Sequence, residues 1–77
     1  MRDLPDDDDW LTDRFRAIGL RLRAERLNQN LTQDDVWLAA GVDRRTLQFV
    51  EAGKEPKLGT LLRIAYVLGL SLADLES

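Results

Sequence analysis

The stretch Leu31–Lys54, LTQDDVWLAAGVDRRTLQFVEAGK, constrains this chain more than any other, because its punctuation admits one local structure. Thr32 is a good N-cap for a helix over Gln33–Ala40, and Gly41 supplies the left-handed residue that ends such a helix and turns the chain. Asp43 can cap a second helix at once. Within that helix, running from Arg44 to Ala52, Leu47 and Val50 lie three apart and face inward. Arg44, Arg45, Gln48 and Phe49 are left on the outer side.

Two short helices joined at a glycine turn, with arginines at the mouth of the second, are the layout of a helix-turn-helix whose second helix enters the DNA major groove. The outer residue set suits that task. Arginine pairs bidentately with guanine, glutamine with adenine, and an aromatic ring lies against a thymine methyl group. Gln33 and Thr46, each in the first turn of its helix, are expected to hold the DNA backbone, as are Lys54 and Lys57 in the loop after the second helix. Two ordinary capped helices with a solvated charged face would show the same pattern, so the motif alone leaves both readings open.

Nearly the whole region from Ile18 to Leu75, about three quarters of the chain, resembles the lambda-repressor and Cro-like helix-turn-helix family. The matching features are IGLRLRAERLNQNLTQ ahead of the motif, Gly41-Val42 at the turn, Val50-Glu51 and Gly53-Lys54 closing the reading helix, and Pro56 followed by TLLRIAYVLGLSLADL. The resemblance implies an all-α fold, a compact five-helix domain over residues 13–77. It also implies a structural pair between Arg26 on the first helix and Glu51 at the end of the reading helix, because a bidentate arginine pair fixes how one helix sits on another. Trp37 departs from the family pattern, which has a small residue where the two motif helices cross. An indole there is expected to push the helices apart, to find room beside Ala39 and Ala40, or to rotate the first motif helix so that it covers the N-terminal segment near Trp10.

Charge at first argues against a polyanionic partner, since the chain carries a net charge of −3. Its distribution reverses that argument. Arg2 against five aspartates leaves residues 1–12 at −4, and the ten basic and nine acidic groups that follow leave the rest at +1. Residues 1–12 read as an acidic, flexible leader. A sharper reading makes the leader an arm that competes with DNA for the patch formed by Arg44, Arg45, Lys54 and Lys57.

The remaining chain reads as helical throughout. Leu11–Asn28 places Phe15, Ile18, Leu22 and Leu27 near helical spacing, with Thr12 as cap and Asn30 as the turn residue beyond. Thr60–Leu68 carries an inward stripe of Leu61, Ile64, Ala65 and Leu68, stopped by Gly69. Ser71 caps a last short helix. Leu70, Leu72 and Leu75 there exceed what so short an element needs, and the resemblance implies dimerisation through this end. They are expected to form a homodimer interface.

With no cysteine and no histidine, the chain offers no disulfide framework, no conventional zinc site and no standard nucleophile and base pair, so no metal, cofactor or enzymatic activity is expected. Its apolar runs are too short to cross a membrane, which makes a cytoplasmic protein of bacterial or phage type, nucleoid-associated when bound, the expectation. The resulting picture is a homodimeric repressor of transcription on a near-palindromic operator in double-stranded DNA. Two alternatives keep the fold and change the role. One is an antitoxin or other protein-interaction module that binds a toxin or regulator through Trp10, Trp37 and the acidic leader. The other is a restriction-modification controller or a phage repressor.

Overall fold

The computed structural model describes residues 1–77 and is all-helical. Four α-helices follow in order: α1 (Asp9–Asn28), α2 (Gln33–Ala40), α3 (Arg44–Glu51) and α4 (Leu58–Leu68). The expected fifth helix is a single 3₁₀ turn, Ala73–Glu76. Four residues allow only i→i+3 closure, as in the bonds from Asp74 N to Ser71 O and Leu75 N to Leu72 O. The Ser71 hydroxyl still accepts from the Asp74 N–H, and the Asp74 carboxylate accepts from Ser71 N.

The inward stripes of all four helices meet in one core. Ile18 and Leu22 come from α1, Val36 and Ala40 from α2, Leu47 and Val50 from α3, and Leu61, Ile64, Ala65 and Leu68 from α4. Leu22, Val36, Leu47 and Ile64 are completely enclosed. No helix is long and apolar enough to cross a membrane.

Three expectations on α1 and α4 shift. α1 starts at Asp9, inside the acidic segment, with Asp8 rather than Thr12 at its N-cap position. Leu27 is half exposed, and Arg26 beside it is buried instead. The cause is angular: Ile18, Leu22 and Arg26 recur every four residues on one face, and Leu27 lies about 100° away. α4 begins at Leu58, so the loop after α3 is shorter than expected and Lys57 occupies the N-cap position.

Two glycines let α3 approach α1 more closely than side chains would. A Cβ on Gly19 would lie 2.5 Å from the Val50 carbonyl oxygen and 2.8 Å from that of Glu51. Gly53, at φ +88°, ends α3 where a Cβ would lie 2.9 Å from Arg16 Cα. Both contacts are with backbone, which cannot rotate out of the way.

We expect Gly19→Ala to lower stability by about 1–3 kcal/mol despite the better helix propensity of alanine, because α1 and α3 must separate. Gly59 lies in the first turn of α4, where an added Cβ would meet nothing within 4 Å. Gly59→Ala should therefore gain up to about 1 kcal/mol. Thermal melts of the two variants should shift in opposite directions, by roughly 4–8 °C per kcal/mol.

Candidate nucleic-acid interface

The local chemistry of α2 and α3 follows the residues at their ends. Thr32 and Asp35 form a reciprocal capping box: the Thr32 hydroxyl accepts from Asp35 N at 3.0 Å, and the Asp35 carboxylate accepts from Thr32 N at 2.8 Å. Gly41 ends α2 at φ 70°, and Asp43 caps α3 by accepting from Thr46 N at 2.7 Å. Hydrogen bonding from Thr46 first, then the nearby Arg45 charge, holds the Asp43 carboxyl below the usual carboxylate range.

α3 buries Leu47, Val50 and Glu51 and leaves Arg44, Arg45, Gln48 and Phe49 exposed. Phe49 is 53% exposed, which makes it a large apolar side chain on an otherwise polar outer face. Arg45, Thr46, Phe49, Pro56 and Lys57 line one cleft between α3 and the loop leading to α4. Lys54, at the opposite end of that loop, is exposed, and its backbone N–H closes α3 by donating to Phe49 O at 3.2 Å. Of the expected contact residues, Arg45, Thr46, Phe49 and Lys57 are brought together in this cleft, and Lys54 lies outside it, beside the start of α1.

The inner side of α3 is anchored by charge. Arg26 donates from Nε to Glu51 Oε2 at 2.8 Å and from Nη2 to Glu51 Oε1 at 3.0 Å, and from Nη1 to the Leu31 carbonyl at 3.0 Å. The side chains are only 8% and 5% exposed, and the Glu51 hydrogen bonds raise the Arg26 pKa above its ordinary value. No buried side-chain polar atom is left without a partner. Gln33 extends the network outward: its amide donates to Glu51 Oε1 at 3.3 Å and accepts from Gln48 Nε2 at 3.4 Å. Gln33 is half buried in this bridge, so its side chain links core to reading face, beyond the backbone-holding role expected of it.

Arg44 is engaged within the protein. Its Nε and Nη2 donate to Asp34 Oδ1 at 3.3 and 3.0 Å, and Nη2 also reaches Oδ2 at 3.3 Å. The Trp37 indole N–H donates to the same Asp34 Oδ1 at 2.8 Å. The indole hydrogen bond first, then the Arg44 bonds, hold the Asp34 carboxyl below its ordinary range. Trp37 itself is half buried against the core, while Val36 and Ala40 on the same helix remain inside. α2 is therefore not rotated toward the N-terminal segment, and the large ring is accommodated at the rim of the crossing. The part played by Asp34 is not evident from the sequence, where it reads only as a first-turn acid. The signal that could have found it is its spacing from Trp37, three residues along one helix face, together with the adjacency of the α2 and α3 N-termini in a helix-turn-helix.

The expected Leu70, Leu72 and Leu75 patch does not form as a unit. Leu75 is 3% exposed and belongs to the domain's own core, Leu70 packs against that core, and Leu72 alone is half exposed. The 3₁₀ turn folds back on α1, where Arg14 Nη2 pairs with Glu76 Oε2 at 2.6 Å, and this turns Leu75 inward.

Comparison with known proteins agrees with this geometry. The sequence profile of the helix-turn-helix family matches residues 22–75. The clp gene regulator ClgR of Corynebacterium glutamicum has a similar solved structure, at a TM-score of 0.75 and 30% identity, covering 82% of this chain and 68% of that one. No curated protein matches the chain.

Two outcomes follow. Arg26→Met or Glu51→Leu alone should cost about 3–5 kcal/mol in urea unfolding, since each strands a buried charge, whereas the double variant should lose clearly less than the sum. Acid sensitivity has a definite sign. Asp34, Asp43 and Asp74 are lowered in the folded state, so their contribution is complete above the ordinary carboxylate pKa and is lost as pH falls through the lower folded values. The melting temperature should hold from neutral pH to about 5 and drop below about 4. Asp43→Asn, which keeps a capping oxygen without the titration, should drop less steeply.

Proposed function

The chain belongs to the lambda-repressor and Cro-like helix-turn-helix family, and on that basis we propose that it is a DNA-binding regulator of transcription. The observation that carries this reading is the division of α3 into an anchored inner side, at Leu47, Val50 and Glu51, and an outer side bearing Arg45, Gln48 and Phe49 beside Arg44. In this reading α3 enters the major groove of double-stranded DNA. Arg44, Arg45, Gln48 and Phe49 meet base edges, while Thr46, Lys54, Lys57 and the first turn of α2 at Gln33 hold the backbone.

The finer role is a homodimeric repressor on a near-palindromic operator. Two reading helices about 34 Å apart would place half-sites about one helical turn apart. Apolar surface for a partner copy is supplied by Leu72 and by the exposed row Leu58, Leu62 and Tyr66, which recurs every four residues along α4. Leu75 takes no part, being enclosed in its own domain. Occupancy of a promoter is the simplest regulatory act such a dimer performs.

Selection of bound duplexes from a randomised pool at moderate salt tests the reading, and an inverted repeat is the expected product. Retention without sequence preference would overturn it. Arg45→Ala should relax preference at one base pair and cost about 1–3 kcal/mol on the best site, whereas Lys54→Ala should weaken all sites and reduce the salt slope by about one unit.

A further inference from the structure

Arg44 stands at the first position of the reading helix, yet it does not extend freely toward solvent. Its side chain is 61% exposed and that of Asp34 52%, so the pair between them lies at the surface of the reading face. An exposed pair of this kind adds little to stability, and its geometry is open to a different use. Arg44 presents Nε and Nη2 to Asp34, the side of the guanidinium fork. Nη2 is shared between both Asp34 oxygens, and Nη1 is the terminal nitrogen that makes no hydrogen bond within the protein. Nη1 is thereby left to donate to a guanine acceptor in the major groove.

Asp34 is fixed from its other side. The Trp37 indole donates to Oδ1 at 2.8 Å, and the ring is lodged against the core. A carboxylate on a free surface side chain would follow the arginine it pairs with, but one pinned by a ring packed on the core sets where the arginine goes. Trp37 stands at a position where a small residue would let α2 and α3 cross without obstruction, and its indole N–H has no other partner than Asp34. The large ring thus carries a donor that reaches the Asp34 carboxylate.

We propose that Trp37 and Asp34 are positioning residues that hold Arg44 in a single base-reading pose and make it a determinant of sequence preference rather than a general phosphate contact. This rests on the DNA-binding reading above. The Asp34 charge offsets that of Arg44, so the pair contributes little attraction to DNA of arbitrary sequence. A preset guanidinium loses less side-chain freedom on meeting its base, and the gain appears only at the base pair whose edge fits. On this account the protein discriminates more sharply, and holds random DNA less firmly, than one with an unpaired arginine at the same place.

The test is selection from a randomised duplex pool, with titrations of the selected operator and of random DNA across a range of salt, for wild type, Asp34→Ala, Trp37→Phe, Arg44→Ala and the Asp34→Ala, Arg44→Ala double variant. Asp34→Ala should lower preference at one base pair by at least about fivefold, leave the others unchanged, and steepen the salt dependence on random DNA by about one unit. Trp37→Phe keeps an aromatic ring and the charges and removes the donor. It should lower preference at the same base pair without altering the salt slope. Arg44→Ala should abolish preference there, and adding Asp34→Ala to it should change that base pair no further. A wild type that selects an operator while Asp34→Ala leaves the profile unchanged, or weakens every position equally, overturns the positioning role alone. A wild type that selects no operator overturns the DNA-binding reading and this role with it. Helical circular dichroism and cooperative unfolding of both wild type and Asp34→Ala separate either result from misfolding.

Discussion

The buried pair between Arg26 and Glu51 fixes the relation between the long helix and the reading helix, and the rest of the site inherits its geometry from that contact. A bidentate fork has one good orientation, so it sets both the distance and the roll of α3 against α1. The third arginine nitrogen donates to the Leu31 carbonyl, which ties the connection between α1 and α2 to the same point. Removing two charges from water is unfavourable, and hydrophobic side chains of similar volume would often stabilise as well or better. What a hydrophobic replacement would not supply is directionality. Gly19 and Gly53 serve the same end by allowing backbone contact between α1 and the end of α3, so that three independent features lock the C-terminal half of the reading helix.

From this anchor a polar path leads to the surface. Glu51 accepts from Gln33, which in turn accepts from Gln48 on the outer side of α3. At the other end of the helix, Asp43 caps the first turn and Asp34 engages Arg44. The reading helix is therefore restrained at its C-terminus by buried charge and at its N-terminus by hydrogen bonds at the surface. Such an arrangement suits a helix whose outer side chains must meet a rigid partner in register, because ordering carried out in the free protein does not have to be repeated on binding.

Net charge takes on a different meaning in this setting. The domain is nearly neutral outside its first twelve residues, and several arginines are already paired within the protein: Arg14 with Glu76, Arg26 with Glu51 and Arg44 with Asp34. Arg45, Lys54 and Lys57 form no such pair, and Arg45 and Lys57 line the cleft beside α3. In the proposed DNA-binding role, attraction beside α3 would come from these few positions, and fit would count for more than bulk electrostatics.

Elements set by local chemistry were legible in the chain before any contact was known. Thr32, Gly41, Asp43 and Gly69 mark helix ends because capping and left-handed turns depend on the residue at one position and its immediate neighbours. The inward stripes of α3 and α4 follow from helical period, and the resemblance to a family pointed to Arg26 and Glu51 as partners. Other features needed the packed molecule. Leu75 and Leu72 look alike in a chain of leucines, but only the closure of the last turn on α1 encloses one and exposes the other. Trp37 promised a steric conflict, and whether it resolved by rotation or by packing at the rim depended on how α2 met both α3 and α4. Asp34 and Arg44 lie ten residues apart on different helices, and their contact exists because the turn at Gly41 brings two helix starts together. Local signals specify where helices begin and end; the side chains that meet between helices are specified by the angle at which those helices cross.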